Sequence, residues 1–84
     1  MSKADEFQQC QVEVKELTTR PSNEDLLTLY ATYKQATDGD VSGKRPGMLD
    51  IKGRAKHDAW AALSGQSTED AQQGYINNVR ALQS

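Results

Sequence analysis

Tyr30, Tyr33 and Lys34 stand at positions i, i+3 and i+4 of one segment, so a helix there places two phenols and an ammonium on a single face. That trio suits an adenine nucleotide: a ring can stack on the base while hydroxyl and ammonium groups meet phosphate oxygens. Lys52 and Lys56 are likewise four apart, and Trp60 follows one turn beyond Lys56. Periodicity alone also admits a plainer arrangement, in which both tyrosines pack in the core and the lysines extend into water. Tyr75 falls within an apolar stripe and on that basis belongs to the core.

Catalysis finds no candidates. A nucleophilic enzyme needs a nucleophile, a base and a group that orients them. His57 is the only histidine, and nothing near it in sequence completes a Cys–His or Ser–His pair. One cysteine and one histidine without close partners cannot build a metal site. Cys10 has no partner for an internal disulfide and falls on an apolar helix face, where a small buried residue is expected. The glycines at 39, 43, 47 and 53 match neither the P-loop nor the dinucleotide-binding spacing.

Four helices must position these side chains. The first is expected from about Lys3 to Leu17, with Ser2 as N-cap and Phe7, Cys10, Val14 and Leu17 on one face. Arg20-Pro21 should end it, because the residue before proline avoids helical angles. Ser22 with Asp25 approximates a capping box for the second helix, which runs to about Thr37 with Leu26, Leu27, Leu29, Tyr30 and Tyr33 as its apolar surface. Asp38-Gly39-Asp40 stops it, and the stretch to Gly47 is the longest loop. Asp50 caps a third helix, about Ile51 to Leu63, with the stripe Ile51, Ala55, Ala59 and Ala62. Gly53 weakens that helix by ~1 kcal/mol relative to alanine. After Ser64-Gly65, Ser67 and Asp70 open a fourth helix, with Ala71, Tyr75, Val79 and Leu82 spaced along one face. No segment alternates in the manner of a strand, so the fold class is all-α.

The whole chain bounds the reading. Its 84 residues make one domain spanning 1–84, with 36% hydrophobic and 26% charged residues, as in folded domains. A core of this size leaves little spare stability, and a deep rigid active-site cavity is not expected. The longest apolar stretch, Ala59 to Leu63, is far short of the ~20 residues of a membrane span. Met1 to Glu6 has no apolar run after its charges, so no secretory signal is expected and a cytoplasmic location is the natural reading. The net charge is −2, yet Lys44, Arg45, Lys52, Arg54 and Lys56 face only Asp50 between positions 44 and 56. A basic island in an acidic chain favours a small polyanion over a long nucleic acid, although such runs also occur as solvated faces.

The run Tyr30 to Asp40, followed by Arg45-Pro46-Gly47-Met48-Leu49-Asp50-Ile51-Lys52-Gly53-Arg54-Ala55-Lys56 and Asp58-Ala59-Trp60, resembles the signature of the acyl-CoA-binding protein family, also called diazepam-binding inhibitor. The likeness extends to Val14-Lys15-Glu16-Leu17, Ser67 to Ala71 and Tyr75-Ile76. It implies a four-helix up-down bundle with one long loop between helices two and three and a shallow surface site for medium- to long-chain acyl-CoA. By similarity, Tyr30, Lys34 and Lys56 hold the ribose 3′-phosphate and Tyr33 stacks on adenine. Tyr75 contacts the nucleotide portion, and Lys15 lies at the ligand edge. Leu27 and Ile51 are candidates for the acyl groove. The implied role is non-covalent buffering and transport of acyl-CoA by a monomer that is no enzyme, uses no cofactor or metal, and makes transient contact with a membrane or an acyl-CoA-using enzyme. The other reading is a protein-interaction module without ligand.

Three positions depart from the family pattern. His57 stands where many members have a second tryptophan, Gly74 replaces a frequent alanine, and the chain stops at Ser84, short of a common Lys-Tyr-containing tail. Affinity and stability are the properties these departures touch.

Overall fold

In the computed structural model, which describes residues 2–84, the helices are α1 (Lys3–Glu13), α2 (Asn23–Asp38), α3 (Ile51–Ala61) and α4 (Thr68–Gln83). There is no strand among the described residues. Each helix begins at its expected cap. Ser2, Ser22 and Ser67 hydroxyls accept from the Asp5, Asp25 and Asp70 amides at 3.1 Å, and Asp50 Oδ1 accepts from the Gly53 amide at 2.9 Å. Acids in the first turns of α1, α2 and α4 face the positive end of each helix dipole. Gly53 donates its amide to the Asp50 cap. A Cβ there would meet the Asp50 carboxylate as it lies, so a side chain at 53 would oblige that carboxylate to shift.

The first helix is shorter than expected. It ends at Glu13, tightens into a 3-10 turn at Val14–Glu16, and Leu17 is already extended at φ −62°, ψ 134°. Val12, Val14, Thr18 and Thr19 are β-branched and favour helix weakly, so the chain leaves it before Pro21 can act. Gly39, at φ 82°, ends α2 in a conformation that a side chain would resist.

Side-chain contacts set the directions of the helices. Lys34 lies against Trp60 and Lys56 against Tyr30, so advancing along α2 advances along α3 and the two run parallel. Phe7 meets Tyr75 and Glu13 meets Arg80, so α1 and α4 are parallel too. Gln35 reaches the Gln66 carbonyl while Thr32 lies beside Gly74, which makes α2 and α4 antiparallel. The all-α four-helix architecture is as expected. The helices follow one another up, down, down, up, and the long loop between α2 and α3 permits the parallel step.

The core joins Phe7 and Cys10 of α1, Leu29 and Ala36 of α2, and Ala71, Tyr75, Ile76 and Val79 of α4, with Val14 and Leu82 packed against it. On α3 the small-residue stripe is not the packing face. Ile51 and Ala62 are exposed, and the buried residue is Trp60. One indole fills the space that several alanines could not. On α2 the buried set is Leu29, Ala31, Thr32, Gln35 and Ala36, while Leu26 and Tyr33 turn outward.

Candidate functional site: an aromatic cleft with two lysines

Leu26, Tyr30 and Tyr33 follow one another at four and three residues on α2, so they share a face. Because Leu29, Thr32 and Ala36 take the core side, this face is left partly open: Tyr30 is half-buried and Tyr33 remains 39% exposed. Val14, Pro21 and Leu29 close the sides, Tyr75 adds its ring, and the result is an open cleft of about 330 Å³. Tyr30, Tyr33 and Tyr75 are its aromatic lining, and Phe7 packs in the core against two of them. Phe7 meets Tyr75 edge-on, with centroids 5.1 Å apart and planes at 80°, and Tyr33 lies 6.2 Å from Phe7 and 6.4 Å from Tyr75. Such spacings lie in the favourable range for aromatic pairs.

Two ammonium groups stand beside this surface. Lys56 Nζ lies 5.3 Å from the Tyr30 ring centre, and Lys34 Nζ lies 4.9 Å from that of Trp60. Both are within cation–π range. Lys34 also forms an ion pair with Asp38 one turn along α2. The hydrogen bond that Lys34 donates to Asp38 raises the Lys34 pKa above its ordinary value, and the same bond lowers that of Asp38. Burial pushes the Tyr75 phenol up, so it stays a neutral hydroxyl through the physiological range.

Trp60 is the anchor under Lys34. Its indole N–H donates to the Gly39 carbonyl at 2.8 Å, which pins the end of α2 to α3. Nearby, the Gln35 amide donates to Asp40 Oδ1 at 2.9 Å and to the Gln66 carbonyl at 3.0 Å, and Asp40 Oδ1 accepts from the Gly65 amide at 2.7 Å. The Gly65 amide and then Gln35 hold the Asp40 carboxyl below the usual range. These contacts fix the ends of α2, α3 and α4 together, and hence the register of Lys34 and Lys56.

The structure brings Tyr30, Tyr33, Lys34, Lys56 and Tyr75 to one surface. Tyr75 is buried at 6% exposure, as its apolar stripe implied, and also lines the cleft. Tyr30 and Tyr33 are not core residues. Lys15 is exposed on the 3-10 turn, next to Val14 of the cleft wall. Leu27 and Ile51 are not among the lining residues. Leu27 is half-buried beside Leu26, and Ile51 begins α3, four residues ahead of Ala55 and five ahead of Lys56. Asp38 is the neighbour that sequence reading missed, although its i+4 spacing from Lys34 was a visible signal. His57 is half-buried, and neither ring nitrogen has a hydrogen-bond partner among the described residues.

A larger open hollow, of about 590 Å³, lies elsewhere, between the end of α1 and the end of α4. Glu13 and Glu16 edge it, and Glu13 is already engaged by Gln83 and Arg80. An acidic rim repels phosphates, so the smaller aromatic cleft is the better anion site. Among the described residues no group of three or more His, Cys, Asp or Glu could hold a metal ion, and no helix is long and apolar enough to cross a membrane.

A small all-α bundle with a tyrosine-lined cleft and flanking lysines defines a ligand-binding class of protein. The family model described as acyl CoA binding protein matches residues 4–79, and the chain belongs to that family. It is 51% identical over 82 residues to the acyl-CoA-binding protein of Brassica napus, covering 98% of this chain and 89% of that one. It is 49% identical over 83 residues to the acyl-CoA-binding protein homolog of Manduca sexta, covering 98% and 92%. Among solved structures, acyl-CoA-binding protein 2 of Oryza sativa superposes with a TM-score of 0.91 at 44% identity, covering 96% of this chain and 88% of that one. The protein from Moniliophthora perniciosa gives 0.88 at 38% identity, covering 98% and 80%.

Proposed function

We propose that this chain binds fatty-acyl-CoA esters reversibly, buffering and carrying them as a cytoplasmic monomer, with residues 1–84 acting as one binding domain. Family membership supports the ligand class. The observation that carries the site is the placing of Lys34 and Lys56 beside the tyrosine cleft. Adenine stacks on Tyr33, the most open of the rings. Lys34, Lys56 and the Tyr30 hydroxyl take the ribose 3′-phosphate, where charge-assisted hydrogen bonds are roughly twice as strong as neutral ones. Tyr75 contacts the nucleotide portion, and Lys15 attracts the ligand at the edge. The acyl chain runs along the apolar wall formed by Val14, Leu26 and Leu29. Each methylene removed from water adds ~0.8 kcal/mol, so affinity rises with chain length until the wall is covered.

Binding leaves the thioester intact, because no side chain at the cleft combines a nucleophile with a base. Native mass spectrometry of the protein with equal amounts of palmitoyl-CoA, CoA and palmitate tests the reading. A one-to-one palmitoyl-CoA adduct should dominate, and equal adducts with palmitate would contradict it.

A further inference from the structure

Buried nitrogens without an acceptor are uncommon, because each has given up water for nothing in return. Three of them stand together on α3: Nε of Arg54 and both ring nitrogens of His57. Arg54 and His57 are three residues apart, so they share a side of the helix. Arg54 makes no ion pair among the described residues.

These nitrogens have one neighbour in common, the carboxylate of Asp58. His57 Nδ1 lies 3.9 Å from Asp58 Oδ1, just beyond bonding range. Arg54 stands one turn before Asp58, at i and i+4. Yet both oxygens of Asp58 are already taken by Arg45: Oδ1 accepts from Nε at 2.9 Å and Oδ2 from a terminal nitrogen at 2.6 Å. That hydrogen bonding is the main cause that holds the Asp58 carboxyl below the usual range, with Arg45, His57 and Arg54 adding to it through their fields. Arg45 wins the carboxylate because it offers two parallel charge-assisted bonds. A basic residue placed four before an acid is the weaker helical orientation.

Arg45 belongs to the loop between α2 and α3, which is anchored at both ends. At the start Trp60 holds the Gly39 carbonyl, and Gln35 and Gly65 hold Asp40. At the finish the Asp50 amide closes on the Gly47 carbonyl at 3.0 Å, and its carboxylate caps α3. Between these anchors, residues 41–46 make no backbone hydrogen bond among the described residues, and the grip of Arg45 on Asp58 is their polar tie. Gly43, at φ 84°, supplies a backbone position with wide freedom.

We propose that Asp58 is the pivot of a two-position latch, held by Arg45 when the loop is closed and by Arg54 and His57 when residues 41–46 swing away. An ordinary loop released in this way would strand a carboxylate beside the helix. Here two spare donors wait for it, so opening costs only the difference between two sets of bonds. The same arrangement accounts for the three orphaned nitrogens, which are the second set. Arg45, Arg54, His57 and Asp58 do not line the tyrosine cleft, so the latch stands apart from the reading of that site.

Carboxyl NMR titration of Asp58 and relaxation dispersion of the amides of residues 41–45, both on ligand-free protein, test the latch. In Arg45→Gln, a change at an exposed position, the Asp58 carboxyl should still titrate below an ordinary aspartate. It should return to the ordinary range once Arg54→Met and His57→Phe are added. With Arg45 intact, those two substitutions should lower the open population about threefold, since the open form loses an i,i+4 pair and a bond to a charged group. Arg45→Gln alone should make the open form the major one. An ordinary Asp58 titration in Arg45→Gln would overturn the proposal. So would flat dispersion profiles in the intact chain, or an open population unchanged by the Arg54 and His57 substitutions.

Discussion

Lys34 is held between the carboxylate of Asp38 and the face of Trp60, and this is the ammonium proposed to receive the ligand's phosphate. Under that proposal Asp38 is an internal anion that the phosphate would displace. Replacing Asp38 with asparagine removes the competitor and a repulsive charge. The Asp38→Asn variant should bind palmitoyl-CoA roughly two- to fivefold more tightly in low salt, with the gain shrinking as salt rises. Unchanged or weaker affinity by calorimetry would show that Asp38 does not compete.

The proposed contacts form a graded series. Lys34→Ala and Lys56→Ala should each weaken palmitoyl-CoA binding roughly tenfold or more, since each removes a charge-assisted bond to phosphate. Lys15→Ala, at the edge, should weaken it only about twofold and mainly at low salt. Fluorescence titration of the three folded variants checks this order. A Lys34→Ala protein that retains wild-type affinity removes that lysine from the site.

Trp60→Phe keeps most of the buried ring but leaves the Gly39 carbonyl without its donor. The cost should be about 1–2 kcal/mol in urea unfolding with an unchanged slope, the usual penalty for one lost partner of a hydrogen bond. Lys34 still has an aromatic face beneath it, so affinity should fall less than in Lys34→Ala. An unfolding midpoint equal to wild type would deny the indole bond its role.

Asp40 supplies a pH-dependent tie. An unfolded aspartate titrates near about pH 3.9, and in the fold the Gly65 amide and Gln35 hold the carboxyl lower. Folding thus favours the carboxylate. Its contribution is fully present above the unfolded value and is lost as pH falls through the folded one. Asp40→Ala should melt several degrees below wild type at neutral pH, and the gap should narrow on acidification to about pH 3. A gap that is constant with pH would show that charge at Asp40 does not matter.

Much of this was legible from residue types and spacing. The caps Ser2, Ser22, Asp50 and Ser67 are local devices, and each appears where the sequence placed it. The grouping of Tyr30, Tyr33 and Lys34 follows from helical spacing alone. What escaped depends on which helix lies beside which. The outward face of α2 could not be told from its core face, because Leu26 and Leu29 are equally apolar. The stripe of alanines on α3 suggested close packing, yet a single buried Trp60 does that work. The bond from Gln35 to Gln66 spans 31 positions and leaves no periodic trace.

The most direct measurement of the central claim is isothermal titration of the protein with palmitoyl-CoA, CoA and palmitate at matched salt. Palmitoyl-CoA should bind one to one and far more tightly than either fragment, because only the whole ester engages both the lysines and the apolar wall. Equal affinity for palmitate and palmitoyl-CoA, or no heat with palmitoyl-CoA, would contradict the account.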